Sequence, residues 1–453
     1  MTSSSLFGTD GIRGVVGEPP LTKEFIQRIA VASSLVFKES YKTRKVIIGW
    51  DTRESSPWIA DVLSKNISKA GYEVYLAGVF TTAGIAFLCR KEQALGVVIS
   101  ASHNPYQYNG IKFLSPSGTK ISPKLEKKIE QVVKQYNKFS LKWNKKERVK
   151  LISYNDTAEK EYIEFLKKIF IADVNDNFKD KVSLVVDCGN GASYKIADKI
   201  FKQLFKKVEC INIEPNGKNI NATCGALYPE TVKRYITDGQ IGVSFDGDAD
   251  RVIFVDEHGN VRDGDYIIGI LATEYKKRKM LKNSLVVVSI MANLGLVRYL
   301  QKLKLKVIMC PVGDKYVSEY LKKYKGILGG EQAGHIVLYN YLPTGDGILT
   351  ALEVLKAVIK NKTSLYNLSQ IFSKYPQVLK NVKTQVKPPV EEIFEKEFLQ
   401  SLEKKIDGRI VLRYSGTEPL FRIMVEGRNE QKIREVVNII ENKFNQYIKV
   451  CEV

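Results

Sequence analysis

Three times along this chain a short apolar run is followed by an amphipathic stretch and then by a second apolar run, and few folds accommodate that order. The first series occupies 46–49, 58–70, 74–77 and 96–100, the second 182–186, 194–204 and 208–213, and the third 285–290, 296–303 and 307–310. Repeated strand, helix, strand alternation needs crossover connections, so each series is expected to form a mostly parallel sheet flanked by helices. The last stretch follows another plan, with strands expected at 382–386, 409–413 and 423–426 and helices at 391–405 and 429–445. The fold expected is therefore α/β: three similar mixed α/β sheet domains, 1–153, 154–256 and 257–372, and a smaller C-terminal α+β domain, 373–453. The basic, polar stretch 142–150 marks the first boundary, and Pro388 and Pro389 lie just inside the last domain.

A chain of 453 residues is too long for one core, which agrees with several domains. Its 70 Lys and Arg against 50 Asp and Glu give a net charge of +20, a balance shared by nucleic-acid binders and proteins that handle anionic metabolites. The lysines are spread over stretches such as 124–138 as solvated helix faces, and no RNA-binding or helix-turn-helix signature accompanies them, so nucleic acid is not expected as a partner. The first residues lack a basic flank followed by an apolar core. The most apolar stretch, 285–297, is interrupted by Ser289 and Asn293 and is too short to span a bilayer, so no membrane partner and a cytoplasmic location are expected. Cys89, Cys188, Cys210, Cys224, Cys310 and Cys451 form no CxxC pair and no zinc spacing, and are expected to be reduced thiols, mostly buried.

Four segments carry chemistry. SASHNPYQYNGIKF, 100–113, follows a buried strand, and ligands of open α/β sheets bind beyond the carboxyl ends of strands, so Ser102 is placed as a nucleophile. Asn109 and Gly110 are expected to form a turn that returns Lys112 toward it. No Asp-His pair matched to this serine is evident, which leaves a polar connecting loop as the plain alternative. In SFDGDADRVIFV, Asp246, Asp248 and Asp250 alternate with small residues, and three carboxylates so close repel one another unless a hard cation neutralises them. An EF-hand is excluded because Arg251 stands where its turn requires glycine and the flanks are β-like. A solvated acidic turn is the competing explanation.

GGEQAGHI, 329–336, offers Glu331 to sugar hydroxyls, while a lone histidine such as His335 is more often structural. In RYSGTEPLFRIMVEG, 413–427, Arg413, Ser415, Thr417 and the intervening backbone can nest around a phosphate, with Arg422 as a further cation; an ordinary turn with surface arginines is the alternative. Neither a Walker GxxxxGK[ST] nor a complete dinucleotide fingerprint is present, which removes support for kinase and dehydrogenase chemistry.

These segments, in this order and with the opening FGTDGIRG, resemble the α-D-phosphohexomutase superfamily, and within it the bacterial phosphoglucosamine mutases, from Phe7 to about Gly427. EPNGKNINATCGA, PVGDKYV, TGDGI and the glycine of SGTEP, Gly416, fit the same subfamily. The resemblance implies four domains around a central cleft and an isomerase that interconverts glucosamine 6-phosphate and glucosamine 1-phosphate, within amino-sugar and peptidoglycan-precursor synthesis. It makes Ser102 a phosphoserine that, with Asp246, Asp248 and Asp250, holds one Mg2+ per chain. A hexose or hexosamine 1,6-bisphosphate is then activator and intermediate. It assigns Arg13, Lys112 and Arg251 to the reacting centre, Glu331 and His335 to the sugar loop, and Arg413, Ser415, Gly416, Thr417 and Arg422 to the phosphate that is not reacting. A phosphosugar substrate and a homodimer are the partners it implies. Ala333 stands where the superfamily's sugar loop usually carries serine, so a phosphoglucomutase or phosphomannomutase is the nearest rival. A non-catalytic polyanion binder on the same scaffold is the rival from another class.

Overall fold

The structure, a computed structural model, describes residues 5–8, 10–135, 149–174, 178–237, 239–415 and 419–451. Four sheets follow one another along the chain. The first contains β1 (Ile12–Val15), β2 (Lys45–Trp50), β3 (Glu73–Val79), β4 (Leu95–Ile99), β5 (Tyr108–Leu114) and β6 (Leu151–Ser153), in the order β1-β5-β4-β2-β3-β6. The second contains β7 (Ser183–Asp187), β8 (Lys207–Ile211), β9 (Gln240–Phe245), β10 (Val252–Val255) and β11 (Val261–Arg262), in the order β11-β10-β9-β7-β8. The third orders β12 (Leu285–Ser289), β13 (Lys306–Cys310), β14 (Leu328–Gly330) and β15 (Ile336–Leu338) as β13-β12-β14-β15. The fourth, antiparallel throughout, places β18 (Leu420–Glu426) between β16 (Gln377–Lys383) and β17 (Arg409–Tyr414).

The first three sheets share one plan. Parallel strands joined by helical crossovers occupy the centre, and one strand then doubles back antiparallel on its predecessor: β5 on β4, β10 on β9, and β15 on β14. Parallel strands are covered on both faces, so they read as unbroken apolar runs, as in the fully buried Leu95–Ile99 and Leu285–Ser289. In the first sheet Ile48, Val97, Ile99 and Ile111 pack with Ile29 and Leu63 of the helices Lys23–Ser40 and Ser56–Lys69. Each such side chain contributes roughly 1.5–3 kcal/mol through burial.

Two compact units emerge, one of Met1–Ser289 with Lys306–Gln370, the other of Ile290–Leu305 with Ile371–Val453. The first holds three sheets. In the second, Phe421, Ile423 and Val425 of β18 pack on Ile433, Val437 and Ile440 of the helix Glu430–Cys451. The helix Leu294–Lys302, although it lies between two strands of the third sheet in sequence, belongs to this unit; Asn293 Nδ2 donates to Tyr375 O at 3.0 Å.

Three local expectations need correction. Asn109 and Gly110 do not form a turn but lie within β5, where Gly110 passes so close to Ser100 O and Ile12 O that a Cβ would collide. The strand expected at 382–386 runs earlier, as Gln377–Lys383, because Thr384 Oγ1 accepts from Val386 N and donates to Val386 O, closing the chain before the proline pair. The helix expected at 391–405 is two helices, Val390–Ile393 and Lys396–Ile406, separated by extended backbone at Phe394 and Glu395. The described cysteines are free, and Cys89, Cys188, Cys224 and Cys310 are buried. No described helix is long and apolar enough to cross a membrane.

Candidate functional site

Each α/β sheet carries its motif at the same topological point, the connection between a central strand and its antiparallel return. Ser102 lies between β4 and β5, the three aspartates between β9 and β10, and Glu331 and His335 around the turn from β14 to β15. Both ends of such a connection are anchored in a sheet. Little of the loop is then left to move.

Ser102 has a left-handed backbone, φ 52°, which costs a non-glycine residue on the order of 1 kcal/mol. It is buried, and its Oγ donates to Asp246 Oδ2 at 2.6 Å. His103 Nδ1 lies 3.4 Å from the same oxygen. Burial, reinforced by the charges of Arg251 and Arg13, takes the His103 imidazole down to about 3, so it stays neutral at physiological pH and is a poor base.

Asp246, Asp248 and Asp250 are buried, and one carboxylate oxygen of each lies within 4.8 Å of the others. Burial, and then the charges of Asp250 and Asp248, push Asp246 well above the usual carboxylate range; Asp250 is raised by burial and by Asp248. Asp248 goes the other way, to about 2, because Lys112 and the Thr82 hydroxyl outweigh its burial. Oδ1 of Asp248 and Oδ1 of Asp250 are buried with no hydrogen-bond partner. Orphaned carboxylate oxygens flanking a third carboxylate suit a hard divalent cation that takes oxygen ligands, so the donor set fits Mg2+.

Backbone donors hold the acidic loop by its carbonyls. Thr82 N, at the start of the helix Thr82–Glu92, donates to Asp248 O at 3.1 Å; Gly347 N, at the start of Gly347–Asn361, donates to Ala249 O at 2.9 Å; and Ala192 N donates to Gly247 O at 2.8 Å. Two helix N-termini therefore begin against the backbone of the acidic loop, at Asp248 and Ala249. The TGDGI stretch supplies one of these contacts, and its Gly345 lies where a Cβ would strike the His335 ring.

Cations surround the carboxylates. Lys112 Nζ, 1% exposed, lies 2.9 Å from Asp248 Oδ2, 3.1 Å from Asp10 Oδ2 and 3.7 Å from Asp250 Oδ2. Those carboxylates hold it protonated, well above the ordinary lysine value, against the opposing effect of burial. Arg13 pairs with Asp10, and Arg251 Nε is 3.8 Å from Asp250 Oδ1. Glu331 Oε1 accepts from Gly313 N at 2.9 Å, and Glu331 N donates to His335 O at 3.0 Å, closing the sugar loop. His335 forms an antiparallel bridge with Arg251, which joins the sugar loop to the acidic loop, and both of its buried ring nitrogens lack a partner. Ser102, Lys112, Arg13, Arg251, Glu331, His335 and the three aspartates thus meet within one unit.

The C-terminal motif lies in the other unit. Arg413 and Arg422 are directly opposite on β17 and β18, and burial together with the Arg422 charge lowers the Arg413 guanidinium. Ser415 N donates to Leu420 O at 2.8 Å, and Lys387 Nζ donates to Ser415 O at 2.9 Å. Like charges facing each other across a sheet repel, and an anion placed between them relieves that repulsion. Gly416 and Thr417 lie outside the described residues.

Several contributors were not singled out from sequence. Asp10 gathers Lys112, Arg13 and Lys120, and Lys120 also pairs with Asp314, so FGTDGIRG and PVGDKYV meet through one ammonium. Although burial opposes it, the three cations keep Asp10 well below the ordinary carboxylate range. Thr82 Oγ1 donates to Asp248 Oδ2 at 2.6 Å. Arg53, in the stretch DTRESS after β2, is buried under the Ser102 loop. Only Asp10 and Asp314 had a signal in the sequence, as members of FGTDGIRG and PVGDKYV without a role of their own.

Comparison with known proteins agrees with the geometry. Four family models match in succession: the phosphoglucomutase/phosphomannomutase α/β/α domain I over residues 4–139, domain II over 160–259, domain III over 263–375, and the C-terminal domain over 381–443. A protein of Thermodesulfovibrio yellowstonii named phosphoglucosamine mutase is 41% identical over 98% of this chain and 99% of its own. In fold, the chain is similar to a phosphoglucomutase/phosphomannomutase family protein of Burkholderia thailandensis, with a TM-score of 0.78, 21% identity and coverage of 100% of this chain and 98% of that one. It is also similar to the Aspergillus fumigatus N-acetylphosphoglucosamine mutase solved with GlcNAc-6P and magnesium, with a TM-score of 0.70, 18% identity and coverage of 97% and 95%. With its whole length matched in this way, the chain belongs to the phosphoglucomutase/phosphomannomutase family and, within it, to the bacterial phosphoglucosamine mutases.

Proposed function

We infer that this chain is an isomerase that interconverts glucosamine 6-phosphate and glucosamine 1-phosphate by way of phosphorylated Ser102 and a bisphosphorylated sugar. One observation carries the chemistry: the Ser102 hydroxyl points at Asp246 inside a group of three carboxylates and three cations. The amino sugar rests on the full-length likeness to proteins named phosphoglucosamine mutase.

Asp246, Asp248, Asp250 and the group on Ser102 would hold Mg2+, which when bound neutralises charge on the phosphoryl oxygens. The bond from phosphorus to Ser102 Oγ breaks as the bond to a sugar hydroxyl forms. The hydroxyl proton ends on Ser102, which is left as the alcohol whose hydrogen Asp246 accepts at 2.6 Å. Protonated Lys112, Arg13 and Arg251 face the charge on the transferring group, and fixed cations in a buried site need little reorganisation. Glu331 and His335 orient the sugar. The bisphosphate then turns end for end and returns its other phosphate to Ser102. In the C-terminal unit, Arg413, Ser415 and Arg422, with Gly416 and Thr417, are assigned to the phosphate that is not reacting. We place the domain divisions at 153/154, 256/257 and 372/373; the first falls between the spans of two family models, and the other two lie three residues inside the ends of the second and third.

Comparing kcat/KM for glucosamine 6-phosphate, glucose 1-phosphate and mannose 1-phosphate tests the sugar; a clear preference for either unaminated sugar would reject it. Ser102→Ala tests the chemistry and should abolish turnover and remove the added phosphate seen by intact mass.

A further inference from the structure

We propose that Arg53 is the positioning residue of the phosphoserine, fixing the Ser102 backbone in one place whether or not Oγ carries phosphate. The proposal rests on phosphoserine chemistry at Ser102. Arg53 is 1% exposed, and all five of its guanidinium hydrogens are committed. Nε donates to Asp51 Oδ2 at 2.8 Å. Nη2 donates to Ser102 O at 3.0 Å and to Asn104 O at 2.8 Å, while Nη1 donates to Tyr108 O at 3.0 Å and to Pro105 O at 2.5 Å. One side chain thereby holds three carbonyls of the loop between β4 and β5 and the first carbonyl of β5.

Other groups hold Arg53 and the loop in turn. Asp51 Oδ1 accepts from Ser56 Oγ at 2.8 Å and from Arg53 N at 3.1 Å, and Asn109 Nδ2 donates to the hydroxyls of Ser55 and Ser56 at 2.8 and 3.0 Å. From the connection between β8 and β9, Asn221 Nδ2 adds a hydrogen bond to Ser102 O at 2.9 Å. A non-glycine residue at φ 52° persists only where its surroundings over-determine it, and these donors do so. No hydrogen of Arg53 remains for a phosphate, so it acts through the backbone.

The mechanism uses Ser102 twice, as donor and then as acceptor, with a sugar turning over between. A loop that drifted between those steps would present phosphorus to water as well as to sugar. In that side reaction water oxygen bonds to phosphorus, the bond to Ser102 Oγ breaks, Oγ takes a proton, and the products are serine and inorganic phosphate. Arg53 therefore governs the ratio of transfer to sugar over transfer to water.

Arg53→Lys keeps the charge but has three donors in place of five and no fork. The enzyme is charged with glucose 1,6-bisphosphate and Mg2+, and phosphate on Ser102 is followed by intact mass with and without sugar phosphate. We expect kcat to fall by up to about 100-fold with KM changed less than about threefold, the loss that follows from a misplacement of about 1 Å. The sugar-to-water ratio should fall at least about tenfold on the same grounds, which a mere decrease in folded protein leaves untouched. Should Arg53→Lys fail to fold, Asn221→Ala removes a second donor from the same carbonyl and should lower the same ratio by less. A ratio equal to wild type in every variant that folds overturns the proposal while leaving the phosphoserine intact. Wild-type enzyme that never acquires phosphate on Ser102 overturns both.

Discussion

Arg413→Gln should make the C-terminal unit more stable in phosphate-free buffer and the enzyme worse, and the two effects have separable sizes. Arg413 and Arg422 face each other on β17 and β18, both half-buried, with the Lys387 ammonium 2.9 Å from the carbonyl of neighbouring Ser415. Burial and the charge of Arg422 already lower the Arg413 guanidinium, the signature of a cation held near another cation. Relieving a directly opposed like-charge pair is worth about 0.2–1 kcal/mol. With a phosphate present the balance reverses, because charge-assisted hydrogen bonds contribute roughly 1.5–3 kcal/mol, about 10- to 150-fold in affinity.

Hydrogen exchange on peptides covering β17 and β18 reads the first effect locally, and kcat/KM for glucosamine 6-phosphate reads the second. Slower exchange of the variant without phosphate, reversed order at saturating sugar phosphate, and kcat/KM lower by about 10-fold or more are expected. Faster exchange of the variant in phosphate-free buffer, or kcat/KM within twofold of wild type, would refute the claim that this arginine pair exists to hold an anion.

Asp248→Asn should abolish Mg2+-dependent turnover, losing more than the roughly 10–100-fold typical of an outer partner, while far-UV circular dichroism stays unchanged; Lys112 keeps Asp10 at 3.1 Å, and Thr82 keeps an oxygen acceptor. Retention of full activity would show that the acidic loop is not the metal site. Asp346, which caps the helix Gly347–Asn361 and accepts from Tyr162 at 2.7 Å, is raised by burial to about 6, so its contribution to stability is present below the unfolded value near 4 and lost as pH rises through 6. Asp346→Asn should therefore gain roughly 3 kcal/mol on wild type between pH 4 and pH 7 in urea unfolding, and a pH-independent difference would count against a buried ionisation. Lys120→Met removes the ammonium paired with Asp314 and one of the three cations around Asp10, and should cost roughly 3 kcal/mol at neutral pH. Because Asp10 is held low in the folded chain, the deficit should shrink as pH falls below 4; a deficit that grows in acid would contradict that sign.

The elements were legible where one physical rule dominates. Strands buried on both faces appear as unbroken runs, so Val182 to Val186 and Leu285 to Ile290 were located within one residue at either end. Chemistry was legible where residue types are costly without a ligand, as with three carboxylates on one short loop. The rest depended on distances between segments far apart in sequence. Nothing near Arg53 announces that its five donors serve Asp51 and a loop fifty residues on. The environment of Lys112 was misjudged locally, since it lies in a strand, yet correctly placed globally, because β5 returns beside β4 and carries it to Asp248.

That return strand explains why one motif per sheet is enough. In a purely parallel sheet the chain leaves the end of a strand into a mobile connection, whereas here it turns back and is hydrogen-bonded on both sides of the loop. Asp246 to Asp250 are bounded by Phe245 paired with Val252, and Glu331 to His335 by Gly330 paired with Ile336. A loop held at both ends can keep Ser102 at φ 52° and Ala249 at φ 55°, conformations a free loop would relax. Three loops of this kind carry seven site residues, Ser102, Asp246, Asp248, Asp250, Arg251, Glu331 and His335, while Arg13 and Lys112 reach the same place from the paired strands β1 and β5.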